Sequence, residues 1–215
     1  MRFLAAALVG LVASSAVASE VPAPAFAAQV APIPPAIATK MTGHSWHEGC
    51  PVAIADLRYV TLSFWGYDGE VHNGELVIAA TLADEVVTIF RELFQAHFPI
   101  ERMRLVDDYG GDDKVAMADN NTSGFNCRNK SGMPDEFSQH GWGRAIDINP
   151  LVNPLVSKNR VEPPAAKAHV DRALQAKGIL VWGDAAVTAF RRHGWQWGGA
   201  WTRMKDYQHF EKKSP

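Results

Sequence analysis

Alternating and helical patterns of apolar residues predict the first strands and the first helix of the chain. Residues 57–64 alternate and are rich in β-formers, and residues 75–80 form a second such segment after turn residues at 66–69 and 73–74. Residues 82–97 instead carry apolar side chains at helical spacing over about four turns. Pro99 follows that segment as a stop signal.

The second half of the chain mixes shorter strand-like and helical segments. Residues 145–149 alternate as a strand does, and the proline-rich residues 151–164 predict a loop. Apolar spacing predicts helices over residues 170–176 and 184–193, and residues 195–197 predict a last strand. Because strands and helices follow one another without a βαβ rhythm, the pattern favours an α+β fold with a largely antiparallel sheet.

The first 18 residues have the pattern of a secretory signal peptide. Arg2 supplies a positive start, residues 3–12 are apolar apart from Gly10, and residues 16–18 have the small-x-small pattern that signal peptidase recognises. The apolar run is shorter than the roughly 20 residues that a membrane span needs. We therefore expect cleavage after Ala18 and a secreted or periplasmic protein, with an uncleaved membrane anchor as the alternative.

The segment after the signal peptide has the composition of a linker. Residues 19–40 are rich in proline and alanine and contain only two charged residues, Glu20 and Lys40, and segments of this kind are extended or disordered. The composition becomes globular at about Met41. Since domains average about 150 residues, residues 41–215 are expected to form a single domain.

Composition and charge exclude several classes of protein. Hydrophobic residues make up 47% of the chain and charged residues 20%, which is an ordinary globular balance. Twenty-one basic residues against 23 acidic residues give a formal net charge of −2, so the basic surface of a nucleic-acid binder is absent.

Two cysteines, Cys50 and Cys127, are too few for a disulfide-rich miniprotein or a four-cysteine zinc module. In the oxidising compartment that an exported protein enters, their simplest interpretation is a disulfide. Two buried free thiols are the alternative, because the sequence does not supply the Cα separation that would decide.

Two histidines and two aspartates carry the candidate chemistry. His140 lies in a glycine-rich turn and Asp147 in the predicted strand that follows, and the glycines between them allow a tight turn that brings both side chains to one point. His209 lies three residues after Asp206 near the C-terminus. Two imidazoles and one carboxylate would leave the fourth position of a zinc ion open for water, and Asp206 could accept a proton from that water.

These segments together resemble the D-alanyl-D-alanine carboxypeptidase family of zinc peptidases. That family includes the vancomycin-resistance D,D-carboxypeptidases and phage L-alanyl-D-glutamate endolysins. Residues 138–147 match the family pattern S-x-H-x-x-G-x-A-x-D, residues 206–209 match its acid-x-x-H, and residues 119–128 are similar to a further family segment. The resemblance covers roughly residues 57–211. It implies a hedgehog/D,D-peptidase-like α+β domain with a mainly antiparallel central sheet flanked by helices.

The resemblance also implies a role for each matching residue. The positions that correspond to the family's zinc ligands are His140, Asp147 and His209. Asp206 corresponds to the catalytic acid/base. Arg128 corresponds to an arginine that polarises the scissile carbonyl or holds a substrate carboxylate, tasks that suit a permanently charged, bidentate donor. Ser138 corresponds to a polar position near the metal, in contact with substrate or with a ligand.

The sequence therefore predicts a secreted zinc metallopeptidase that hydrolyses the stem peptides of peptidoglycan. Hydrolysis of the terminal D-Ala-D-Ala bond is the first choice, and an L-Ala-D-Glu endopeptidase is the alternative within the family. The expected partners are peptidoglycan or its peptide precursors, with no nucleic acid and no transmembrane helix in the mature chain.

Two further interpretations compete with the peptidase. A non-catalytic, zinc-stabilised wall-binding module is disfavoured by Asp206 beside His209, because a structural zinc needs no base. A serine hydrolase built on Ser138 is disfavoured because the G-x-S-x-G nucleophile elbow is absent around it.

Overall fold

The computed structural model describes residues 24–130 and 132–213, so the signal peptide expected over residues 1–18 lies outside the described part of the chain. The described α-helices are α1 (Pro35–Met41), α2 (Ala83–Gln95), α3 (Asp113–Ala118) and α4 (Ala185–Arg192). The described strands are β1 (Ala28–Pro32), β2 (Leu57–Trp65), β3 (Val71–Ala79), β4 (Arg102–Met103), β5 (Asn121–Thr122), β6 (Asn129–Lys130), β7 (Met133–Phe137), β8 (Ala145–Asp147), β9 (Leu155–Ser157), β10 (Arg160–Glu162), β11 (Gln196–Trp197), β12 (Lys205–Asp206) and β13 (His209–Glu211). Short 3₁₀ helices cover Ile54–Asp56, Ala80–Leu82, Val106–Tyr109, Pro164–His169 and Gly198–Ala200.

The strands form several small sheets. Among the described residues, three sheets have three strands each, in the orders β1-β2-β3, β10-β9-β12 and β11-β13-β8, and β4-β5 and β6-β7 form pairs. Pairing between these strands is antiparallel except for β4 with β5. This mixed architecture is compatible with the predicted α+β class, but the expected single central sheet is not found. Strands after β3 are five residues long at most, too short to build one continuous sheet.

The longest ladder and the longest helix form where the sequence patterns are strongest. β2 and β3 pair over their whole lengths, and α2 packs on this sheet. The strand predicted over residues 57–64 and the helix predicted over residues 82–97 are confirmed as β2 and α2. The apolar side chains that α2 buries in the main core include Val86, Ile89, Phe90 and Leu93. That core also contains Ile146 of β8 and Phe210 of β13, so it supports the strands of the candidate site.

The predicted disordered linker is wrong for its described part, residues 24–40. β1 pairs with the edge of β2, and the ring of Phe26 lies 5.5 Å from the ring of Phe94 in α2. The prolines misled the prediction because they occupy positions that tolerate them. Pro32 ends an edge strand and Pro35 lies in the first turn of α1, where the missing N–H has no helical partner to lose.

Two predicted turn or loop segments contain strands in the structure. The predicted turn at residues 73–74 lies inside β3. The hairpin turns at the other predicted position, residues 66–69, where the Gly66 amide donates to the Glu70 carbonyl over 2.8 Å. The predicted loop at residues 151–164 contains the β9–β10 hairpin.

No helix forms over the described residues 170–176, although apolar spacing predicted one. Here the guanidinium of Arg172 donates to the carbonyls of Val152, His169 and Leu180 and thereby holds an irregular segment together. The tertiary hydrogen bonds of one side chain outweigh the local preference for a helix.

Cys50 and Cys127 form a disulfide, as predicted from the expected export. Their sequence separation is 77, so the bond ties the start of the domain to its middle. Cys127 is buried in a second apolar cluster with Met41, Leu57 and Phe125. None of the helices in the described part of the chain has the length and apolarity needed to cross a bilayer.

Candidate metal centre

Two adjacent antiparallel strands place Asp147 and His209 side by side. In the register of β8 and β13, His209 lies opposite Asp147 and Phe210 lies opposite Ile146. Because side chains alternate between the faces of a sheet, the buried Phe210 and Ile146 turn their neighbours toward the other face. Side chains directly opposite each other are within reach, and Nδ1 of His209 lies 2.9 Å from Oδ1 of Asp147.

A tight turn over residues 138–143 brings His140 to the same point. The amide of His140 donates to Oγ of Ser138 over 3.0 Å, and the amide of Gly143 donates to the His140 carbonyl over 2.9 Å. Gly143 has a φ of +63°, and a Cβ there would lie 2.7 Å from the backbone nitrogen of Ala79. Only glycine therefore fits this turn against β3.

The candidate donor atoms of His140, Asp147 and His209 converge in a triangle. Nε2 of His140 lies 3.2 Å from Nδ1 of His209 and 3.2 Å from Oδ2 of Asp147. All three residues are buried. Ligand atoms about 2.0–2.1 Å from a tetrahedral zinc ion are about 3.3 Å apart, so the triangle has the size of one face of such a site.

Hydrogen bonds outside the triangle fix which ring nitrogen faces it. Nδ1 of His140 lies 2.7 Å from the carbonyl oxygen of Gly124, which can only accept, so this nitrogen carries a proton and Nε2 is the nitrogen that faces the triangle. Nε2 of His209 lies 3.3 Å from Oε2 of Glu211, which leaves Nδ1 for the triangle. Partners of this kind hold metal-binding histidines in orientation.

The electrostatics of the triangle favour a positive charge. Burial would raise the pKa of the Asp147 carboxyl, but the charge of His140 and the hydrogen bonds from both histidines outweigh burial and hold this pKa well below its usual range. Burial would lower the pKa of His209, but its hydrogen bonds to Asp147 and Glu211 prevail and raise the pKa to about 10. Either a proton or a metal cation can supply this positive charge. Two imidazoles with one carboxylate are a donor set that fits zinc.

Asp206 approaches the triangle from a different sheet. It lies in β12, where it pairs with Leu155 of β9, and it is buried. Burial, only partly offset by the charge of His209, raises the pKa of its carboxyl to about 6. A carboxyl group that exchanges its proton near neutral pH can act as both a general base and a general acid.

One cleft of about 470 Å³ is lined by every residue that the sequence predicted for the site. These residues are Arg128, Ser138, His140, Asp147, Asp206 and His209. Arg128 forms an ion pair with Asp113 at the start of α3. Ser138 turns its hydroxyl oxygen toward the His140 amide, so it supports the turn from inside the cleft.

Among the cleft residues that sequence reasoning missed, Glu211 and Gln208 contact the candidate site residues His209 and Asp206. In β13 the side chains of His209 and Glu211 lie on the same face, because alternate residues of a strand share a face. The sequence H-F-E therefore predicts this neighbourhood once a strand is recognised there. The sequence prediction ended its last strand at residue 197 and so lost this signal. Gln208 precedes the strand and has no comparable signal.

A second group of possible donors lies outside the cleft. His47, Cys50 and Cys127 offer donor atoms within 4.8 Å of one another. The two sulfur atoms are bonded to each other, so they are not available as thiolate ligands while the disulfide is intact.

A triangle of two imidazoles and a carboxylate, with a buried acid in the same open cleft, is the arrangement of a single-metal hydrolytic centre. A family model described as D-alanyl-D-alanine carboxypeptidase matches residues 131–212 of this chain. The matched residues contain His140, Asp147, Asp206 and His209, and the match confirms the family resemblance found in the sequence. Arg128 lies just before the matched region. Searches of curated proteins and of solved structures returned no match.

Proposed function

We propose that the protein is a zinc metallopeptidase that hydrolyses peptide bonds in the stem peptides of peptidoglycan, with the terminal D-Ala-D-Ala bond as its first substrate. The observation that carries this proposal is the triangle of His140, Asp147 and His209 beside the buried Asp206. The family match supports a peptidase that acts on peptidoglycan.

The residues of the cleft have separate roles in hydrolysis. A zinc ion bound by the three donors would supply Lewis-acid polarisation and would lower the pKa of a water molecule. The Asp206 carboxylate accepts a proton from the attacking water and gives it to the nitrogen of the leaving amine. Its pKa of about 6 in the metal-free protein allows both transfers near neutral pH.

Arg128 is the proposed partner of the substrate's oxygen atoms. Its ion pair with Asp113 holds the guanidinium at the wall of the cleft. From there it donates hydrogen bonds to the carbonyl oxygen of the scissile bond, where negative charge develops, or to a substrate carboxylate. Ser138 contributes a hydroxyl group to the same wall.

We also propose a secreted or periplasmic location. The signal-peptide pattern of residues 1–18 supports it, and so does the Cys50–Cys127 disulfide, since disulfides persist in oxidising compartments. The proposed peptidase domain begins before Met41, because β1 adds a strand to the sheet of β2 and β3.

The experiment that tests the proposal is digestion of purified muropeptides by the zinc-loaded protein, with products identified by mass spectrometry. Release of D-alanine is the expected result, and fragments cut after L-alanine would indicate the endopeptidase instead. The protein stripped of zinc and the Asp206→Asn variant serve as controls, and both are expected to be inactive. If no stem peptide is cleaved in a zinc-dependent way, the proposed function is wrong.

A further inference from the structure

Two residues that line the cleft each have a buried polar side-chain atom without a hydrogen-bond partner. Within residues 24–130 and 132–213, Nε of Arg128, Nε of Arg172 and Oε1 of Gln208 are the buried side-chain atoms of this kind. Arg128 and Gln208 line the same cleft, and Arg172 does not. Because buried polar atoms in proteins nearly always have partners, two unpaired atoms in one cleft need an explanation.

The side chain of Gln208 is held in one orientation. Its Nε2 donates to Oδ1 of Asp206 over 3.3 Å and lies 3.5 Å from the sulfur of Met117. The residue is 3% exposed, and its backbone carbonyl accepts a hydrogen bond from the Ile148 amide over 3.0 Å. Since an ionised carboxylate can only accept, the amide nitrogen must face Asp206, and the oxygen is left without a partner.

The two unpaired atoms are complementary to a peptide group. The Nε–H of Arg128 is a donor that suits a carbonyl or carboxylate oxygen, and Oε1 of Gln208 is an acceptor that suits an amide N–H. We propose that Gln208 is a substrate-binding residue whose Oε1 accepts a hydrogen bond from a backbone N–H of the bound peptide. This inference rests on the proposed function, because it takes a peptide as the substrate.

Gln208 connects the substrate with the acid/base. Its amide oxygen binds the peptide backbone while its amide nitrogen holds the Asp206 carboxylate. Binding of the correct peptide therefore fixes the side chain that positions the proton acceptor. A ligand without an N–H at this point leaves the buried oxygen unpaired and binds more weakly.

The test measures the dissociation constant of a stem pentapeptide by calorimetry, on zinc-loaded protein with intact Asp206. The scissile carbonyl of this peptide is reduced to CH₂, which keeps every backbone N–H and prevents turnover. Adding Gln208→Met, which removes both amide atoms at similar length, is expected to weaken peptide binding about tenfold. The dissociation constant of zinc is expected to stay the same. Gln95→Met is the matched control, because Gln95 is exposed at the end of α2 and is not part of the cleft wall.

A scan of methylated peptides separates substrate binding from a purely structural role. Peptides in which one backbone N–H at a time is replaced by N–CH₃ are compared on proteins with and without Gln208→Met. For the protein with Gln208, one of the methylated peptides is expected to bind about tenfold more weakly than the unmethylated peptide. For the Gln208→Met variant, the same methylation is expected to leave the affinity unchanged. Gln208→Asn, which keeps both amide atoms but withdraws them, provides a second variant if Gln208→Met does not fold.

The possible outcomes separate this inference from the proposed function. Equal peptide affinity with and without Gln208→Met, or methylation penalties that are the same in both proteins, would overturn the inference; Oε1 would then be satisfied by water alone. If either of those results is found but the protein with intact Asp206 still cleaves stem peptides, only the inference about Gln208 is wrong and the proposed function is supported. Gln208-dependent peptide binding without any turnover overturns only the proposed function, and the absence of both binding and turnover overturns both.

Discussion

The hydrogen bonds behind His140 and His209 decide which ring nitrogens face the cleft. The Gly124 carbonyl is hydrogen-bonded to Nδ1 of His140, and the Glu211 carboxylate to Nε2 of His209. Nε2 of His140 and Nδ1 of His209 are therefore the nitrogens available to a metal ion. At the scale of single residues, the centre therefore depends on groups that do not themselves belong to the triangle. This dependence gives two predictions.

Removing the carboxylate behind His209 is expected to weaken metal binding. Glu211→Ala frees the outer nitrogen of the ring and loosens its orientation, so zinc affinity should fall about 10–100-fold. Competition with a chromophoric chelator measures this directly. Glu70→Ala is the control, since Glu70 is exposed in the β2–β3 turn. Unchanged affinity in Glu211→Ala would show that Glu211 does not support the site.

Zinc affinity is expected to rise with pH. In the metal-free protein the pKa of His209 is raised to about 10, so its imidazole carries an extra proton at neutral pH, and zinc must displace that proton. One released proton makes the apparent affinity rise about tenfold per pH unit between about pH 6 and pH 8. Calorimetry in buffers of different ionisation enthalpy counts the proton. An affinity that does not change with pH would contradict the raised pKa.

At the scale of elements, the site is assembled from pieces that are individually too short to be stable. β8, β12 and β13 have two or three residues each, and the His140 turn has no regular structure of its own. Their positions depend on packing: Ile146 and Phe210 anchor β8 and β13 in the main core, and Gly143 lies against the backbone of β3. The β2–β3 sheet therefore holds the turn in place.

The close approach at Gly143 predicts a large cost for any side chain there. Gly143→Ala adds a Cβ 2.7 Å from the Ala79 nitrogen at a φ of +63°, and it should lower the free energy of unfolding by about 3 kcal/mol. Gly110→Ala is the matched control, because Gly110 has a φ of +65° and no atom within 4 Å of the added Cβ. Its cost should be about 1 kcal/mol. Urea denaturation compares the two, and equal costs would mean that the contact with β3 is unimportant.

At the scale of the whole molecule, the site could be predicted from the sequence better than the fold that carries it. Apart from Arg128, the candidate residues lie in two local motifs, 138–147 and 206–209, which are visible without any knowledge of the sheets. β2 and α2 could be recognised because each has nine or more residues over which a period shows, whereas β3 was recognised only from residue 75 onward. Most strands of two or three residues, such as β12 and β13, show no period, and tertiary contacts decide whether they pair. β8 is an exception, because the alternation that predicted it extends over residues 145–149.

The same limit explains the errors and omissions. β1 forms in a proline-rich segment because β2 offers it an open edge, which composition does not reveal. Glu211 and Gln208 matter through contacts with His209 and Asp206 that exist only after folding. The disulfide was predictable only as one of two alternatives, since the sequence does not contain distances.

The disulfide is expected to stabilise the whole molecule without taking part in the site. It closes a loop between positions separated by 77 residues, and the chain-entropy model assigns about 4.5 kcal/mol to such a loop. Replacing both Cys50 and Cys127 with serine should lower the free energy of unfolding by about that amount, measured by urea denaturation. Zinc affinity should stay within a few-fold of that of the parent protein. A loss of zinc binding in a variant that remains folded would contradict this separation.

The proposed zinc centre can be tested by the X-ray absorption spectrum of zinc in the purified protein, with His209→Ala as the comparison. We expect one zinc ion per chain with nitrogen and oxygen neighbours at about 2.0–2.1 Å, and His209→Ala should reduce the zinc content and remove one imidazole from the spectrum. A protein that takes up no stoichiometric zinc would contradict the assignment of a zinc centre. Sulfur neighbours, or a spectrum that His209→Ala leaves unchanged, would contradict it equally.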